Sequence, residues 1–181
     1  EVLGLQRELM ANYAPRFPTV TQHAGLEWSM LREHVNWFGP NITLPPPTSP
    51  PYVADASTGA MYEAAARIHD AGGLASHNHP FGNGVGTLAS QSTQDTLRRA
   101  KASELIATRV YGCDILEVGL PTKGGVSQDG YLALWDALSR NSIFVTGTGV
   151  SDDHSGKSWL SQVTNFFTWA GAENTDMPSL L

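Results

Sequence analysis

The residues of this 181-residue chain best suited to chemistry lie in the stretch 145–156, where a β-branched run ends at Gly147 and Gly149 and then delivers Asp152, Asp153 and His154. Residues two apart on an extended segment point the same way. Asp152 and His154 are therefore predicted to aim together past a strand end as metal ligands, with Asp153 turned away to hold a turn. The preceding Ile143, Phe144 and Val145 form an apolar run expected of a strand covered on both faces, as in parallel sheets, whose catalytic groups gather at the strands' carboxyl ends.

The rest of the donor supply is histidine and carboxylate. A single cysteine, Cys113, excludes an intrachain disulfide and thiolate zinc clusters, and its setting, Gly112-Cys113-Asp114-Ile115-Leu116, is that of a small buried residue. The histidines are His23, His34, His69, His77, His79 and His154. Asp, Glu and His without Cys suit zinc, manganese or iron, whereas magnesium favours fewer imidazoles. Glu27 precedes Trp28 in an apolar setting where an uncompensated charge is costly, which favours a ligand over a surface carboxylate. His77 points the same way as His79 if their strand persists, His69 beside Asp70 is expected to be solvated, and His23 has no motif behind it.

These groups need elements to hold them. Val2, Leu5, Leu9 and Met10 predict a helix ended by Pro15 and Pro18. Thr19 to Met30 and His34 to Gly39 predict two extended segments joined by a tight reversal that brings Glu27 to His34. Pro40 to Pro51, centred on Pro45-Pro46-Pro47, reads as a loop over the rim of the site. A helix with an inward stripe of Met61, Ala64, Ala65 and Ile68 runs from Ser57 or Thr58 to Gly72-Gly73. A short strand from Leu74 to Pro80 follows it. Phe81 to Gly86 lacks the Lys-Ser or Lys-Thr of a phosphate-cradling loop and reads as a flexible connection. Next come a helix over Gln91 to Thr108, a buried strand over Asp114 to Gly119 and a helix over Tyr131 to Arg140 with Leu134 and Leu138 inward. Strand and helix alternate, which predicts a parallel α/β arrangement.

Four motifs occur in the order of the PHP (polymerase and histidinol phosphatase) family: Gly25-Leu26-Glu27-Trp28 with His34 downstream, Asn78-His79-Pro80, Asp114-Ile115-Leu116-Glu117-Val118, and Thr146-Gly147-Thr148-Gly149-Val150-Ser151-Asp152-Asp153-His154. The chain resembles that family over nearly its whole length. The resemblance implies an α/β fold of distorted seven-stranded (β/α) barrel type, TIM-barrel-like, with up to three divalent metal ions at the carboxyl ends of its strands. On it, Glu27 resembles the carboxylate bridging two metals, His34 and His79 resemble histidines completing one ion, and Asp152 and His154 resemble the final Asp-any-His pair. Glu117, at a strand end, is expected to orient a histidine rather than to bind metal. The family's opening His-any-His and Asp-His signatures have no counterpart before Glu27. Since even a seven-unit barrel approaches 200 residues, residues 1–181 are read as one N-terminally incomplete barrel domain.

The implied activity is phosphoester hydrolysis by a metal-activated water, with Glu27, Asp152 and His154 carrying catalysis and Glu27, His34, His79, Asp152 and His154 holding metal. The rival is a degenerate barrel that binds metal or a phosphorylated ligand without turnover. A small phosphorylated substrate is expected, its cation drawn from Arg16, Arg32, Lys123, Arg140 or Lys157. A net charge of −6, from 11 Lys plus Arg against 17 Asp plus Glu, argues against nucleic acid. No run of about 18 apolar residues reads as a membrane span, and the first ten residues lack the pattern of a leader, so the cytoplasm is expected over secretion.

Overall fold

A computed structural model describes residues 2–29, 33–43, 58–84, 86–119, 122–150, 152, 166, 168 and 170–180. In chain order the elements are α1 (Val2–Tyr13), β1 (Leu26–Ser29), β2 (His34–Phe38), α2 (Thr58–Asp70), β3 (Leu74–Asn78), α3 (Gln91–Thr108), β4 (Ile115–Gly119), α4 (Gln128–Arg140), β5 (Thr146–Gly149) and α5 (Met177–Leu180). The strands form one open sheet in the order β1-β2-β3-β4-β5. β1 with β2 and β2 with β3 are antiparallel, and only β3-β4-β5 run parallel.

This overturns the expected seven-stranded barrel and the parallel arrangement of the sheet as a whole, while the antiparallel β1-β2 pair is the reversal expected between those segments. Only the residues between Ser29 and His34 connect β1 to β2, a span far too short for the dozen or more residues of a parallel crossover. The Pro-rich loop expected over Pro40 to Pro51 falls largely outside the described residues.

The register sorts the sheet into two faces. Val35 pairs with His77 and Trp37 with Ala75, while His77 pairs with Leu116. That face, together with Val118, is buried beneath the helices. α2 supplies the predicted stripe, with Met61, Ala64, Ala65 and Ile68 all buried against β2 and β3, and α4 lays Leu134 and Leu138 over β4. The other face carries Glu27, His34, Asn36, Ser76, Asn78 and Glu117, the alternate residues of the same strands.

Two elements differ from their expected form. β5 comprises Thr146–Gly149, and the apolar run before it lies outside the strand, with Ile143 and Val145 buried but Phe144 82% exposed. Gly147 is required there because a Cβ would stand 2.9 Å from Val118 and 3.0 Å from the Trp135 ring, which bonds the Val145 carbonyl. α1 forms as predicted, yet it buries Leu3 and leaves Leu5 and Leu9 exposed. No helix among the described residues is long and apolar enough to cross a membrane.

Candidate metal centre

Glu27 of β1 and His34 of β2 face the same side because Glu27 pairs with Asn36 and Ser29 with His34 across the hairpin. His34 Nδ1 lies 2.5 Å from Glu27 Oε1. His79 arrives differently. β3 ends at Asn78, and His79 adopts a positive φ of 29°, which takes the chain out of the strand. The strand thus does not persist to His79, and the condition under which His77 and His79 would point the same way is not met. His77 stays under the helices near Glu33, whereas His79 joins Glu27 and His34.

Glu117 fixes His79 twice. Its Oε2 accepts from the His79 backbone N–H at 2.7 Å and from the ring Nδ1 at 2.8 Å. That contact holds the strained backbone and turns Nε2 toward the other two side chains, 3.1 Å from His34 Nδ1 and 3.4 Å from Glu27 Oε1. A carboxylate behind a histidine in this way raises the imidazole's basicity and fixes its tautomer.

The pocket around the group has a volume of about 320 Å³ and is lined by Glu27, Ser29, His34, His79, Asn83, Lys123 and Asp152. Asn83 Nδ2 lies 2.9 Å from His34 Nε2. A half-turn of the Asn83 amide presents its oxygen instead, so the side chain serves His34 whether its Nδ1 carries a proton or a lone pair. Lys123 comes from the loop after β4 and is buried, its ammonium in ion-pair contact with Asp152. Gly124 makes this possible: its φ is +59°, and a Cβ there would collide with the Phe81 carbonyl.

The donor set passes a test of fit to a metal. One atom from each of Glu27, His34 and His79 lies within 4.8 Å of the others. Two ligands about 2.1 Å from a zinc-sized ion at a tetrahedral angle stand about 3.4 Å apart. The His79 separations of 3.1 and 3.4 Å match that spacing, and the 2.5 Å Glu27–His34 contact has to open by about 1 Å. Electrostatics favour a cation as well. Hydrogen bonds from His34 first and His79 second hold the Glu27 carboxyl well below the usual carboxylate range, against the opposing effect of burial. Burial pulls the His79 pKa down, but bonds to Glu117 and Glu27 outweigh it and the imidazole is raised.

The remaining predicted residues do not join the three-donor group among the described residues. Asp152 lines the pocket with a φ of 49°, so the chain at that residue is not extended and the same-side argument pairing it with His154 does not hold. His154 and Asp153 lie outside the described residues, as do Arg32 and Lys157. Among the other cations, Arg16 sits over the Tyr13 ring and Arg140 pairs with Asp136. His69 is half-exposed with its Nε2 2.8 Å from Asp114, and His23 meets the Thr175 carbonyl at 2.7 Å.

Sequence reasoning missed Asn83 and did not single out Lys123. The signal for both was glycine, since Gly82-Asn83-Gly84 and Lys123-Gly124-Gly125 form the two turns that dock through the Gly124 N–H on the Gly84 carbonyl at 2.9 Å. No protein-family model matches this chain, and no curated protein matches it.

Proposed function

We propose that the chain is a metal-dependent phosphoesterase acting on a small phosphorylated molecule in the cytoplasm, as the PHP-like order of its motifs implies. The observation that carries this reading is the convergence of Glu27, His34 and His79 on one point of an accessible pocket, with Glu117 braced behind His79. Three protein ligands leave coordination positions for water and substrate, as catalytic rather than structural sites do. A divalent ion bound there supplies a water acidified to near neutral pH and positive charge for the phosphoryl oxygens.

The chain's own groups do the rest. Glu27 is ionised across the working pH range and presents a carboxylate oxygen without first losing a proton. His79 is held by its own backbone and by Glu117, so its Nε2 needs no reorientation on binding. Asn83 steadies His34 from the solvent side. The pocket of about 320 Å³ admits a phosphate and a modest leaving group, which supports a small substrate over a polymer.

The test is manganese content and p-nitrophenyl phosphate hydrolysis for the wild type and Glu27→Gln. The substitution keeps the shape and removes the charge, so metal should be lost and turnover should fall about a thousandfold, worth about 4 kcal/mol. A Glu27→Gln protein that keeps both its metal and its turnover overturns the reading. A wild type that binds metal but hydrolyses no phosphomonoester reduces it to binding alone.

A further inference from the structure

We propose that Lys123 is the built-in second cation of this pocket: the site takes one divalent ion, at Glu27, His34 and His79, and the Lys123 ammonium on Asp152 stands where a second ion would otherwise be held. The inference rests on the metal reading above and concerns the stoichiometry of that site.

The first support is burial. Lys123 is 5% exposed, and a buried ammonium is retained only when paired, since desolvation costs several kcal/mol per ion. Its partner, Asp152, is a carboxylate in the same pocket as the three ligands. Lys123 thus engages the group that the motif order offers as a further metal ligand.

The second support is charge. Among the described residues, Glu27, Asp152 and Glu117 bring three negative charges to the pocket and its back wall. One divalent ion and one ammonium balance them. Two divalent ions beside the same ammonium exceed them by two charges, at separations where like charges repel strongly in a partly buried site.

The third support is anchoring. The loop that carries Lys123 is pinned by the Tyr131 hydroxyl on the Lys123 carbonyl at 3.1 Å, by a bridge between Lys123 and Val126, and by the Gly124 bond to Gly84. The ammonium is therefore presented by a fixed backbone. A lysine in this position is a point charge suited to phosphoryl oxygens, the service a second ion performs in two-metal sites.

The experiment is manganese loading of the whole chain followed by gel filtration, elemental analysis and electron paramagnetic resonance. The wild type should retain about one ion per chain with the six-line spectrum of isolated Mn(II), and Lys123→Met should retain about two, with the exchange-coupled spectrum of ions about 4 Å apart. A wild type that binds two or more ions overturns the proposal and leaves the metal reading intact, whereas one that binds none ends both. A Lys123→Met protein that is folded by circular dichroism yet stays at one ion also overturns it. Should that variant not fold, the wild-type count decides alone, with Lys123→Arg, which keeps a cation, expected to stay at one.

Discussion

His77 and His79, two residues apart, each stand beside a glutamate, and their surroundings give them opposite uses. His77 is fully buried on the helix-covered face, with Nε2 3.1 Å from Glu33 Oε2, and the other Glu33 oxygen accepts from Lys101 Nζ at 2.7 Å. That cluster is sealed and already has its cation. Burial alone would raise the Glu33 pKa, but His77 and Lys101 outweigh it and the carboxyl is lowered. His79, on the open face, meets Glu27 and His34 in a pocket where three donor atoms converge. Histidine and glutamate are thus not sufficient for a metal centre. What distinguishes the open group, among the described residues, is access and three donor atoms that converge without a cation between them.

The sharpest way to break the comparison is to take the cation from the sealed cluster. Lys101→Met takes the ammonium from buried Glu33 while His77 remains, and removal of one partner of a buried pair costs about 3 kcal/mol, the low end for such changes because His77 stays in place. Thermal unfolding followed by circular dichroism should show a fall in Tm of about 6–12 °C for a chain of this size. Metal affinity measured well below that temperature should not change. A fall in affinity as large as the fall in stability would mean the two clusters act as one.

Much of this arrangement was legible beforehand. The periodicity of Met61, Ala64, Ala65 and Ile68 located α2, the apolar run Ile115 to Val118 located a fully buried β4, and the reversal between Glu27 and His34 brought those side chains together. Strand direction was not legible from alternation alone: α2 lies between β2 and β3, yet those strands are antiparallel, so a helix between two strands does not by itself make a parallel crossover. At the C-terminal end the misreading was of register. The uniformly apolar run reads as a strand, but Ile143 and Val145 are buried ahead of β5 and Phe144 between them is exposed. The hydrogen-bonded strand is Thr-Gly-Thr-Gly, in which glycine, a poor strand former, is required at Gly147 by the close approach of Trp135 and Val118. Of the site, Glu27 was suggested by its apolar setting, Glu117 by its place at a strand end, and His34 and His79 by the family resemblance, whereas Asn83 and Lys123 are brought in by two docked glycine turns that no periodicity marks.

A second test sharpens the open side. Glu117→Gln keeps an oxygen to accept from His79 but removes the charge that raises the imidazole's basicity. Removing such an outer partner costs about 10- to 100-fold in metal affinity, or about 1.4–2.7 kcal/mol. Titration calorimetry with zinc should show that weakening, with little change in Tm of the metal-free protein. Equal affinity for the two proteins would mean that Glu117 serves only to hold the His79 backbone.

The smallest expected effect tests whether the sealed side suppresses charge by burial where no cation is supplied. Cys113 is a buried free cysteine, and burial first, with the neighbouring Asp114 charge second, pushes its thiol up to about 12. Below the ordinary thiol value of 9.0 both folded and unfolded chains keep the proton, and the group contributes nothing to pH dependence. Between pH 9 and 12 the unfolded chain releases the proton more readily than the folded one, so stability falls by up to about 1.4 kcal/mol per pH unit. Denaturant unfolding at pH 8 and pH 10 should therefore show the wild type losing about 1.4 kcal/mol more than Cys113→Ala over that interval. Tyr131, whose phenol burial also raises, is present in both proteins and cancels from the difference. The alanine variant starts lower at pH 8, by about 1 kcal/mol for the lost sulfur contacts, so the two stabilities should draw together and cross before pH 10. Parallel alkaline slopes would mean that Cys113 meets solvent in the native state, and that the helix-covered face is less closed than its burial requires.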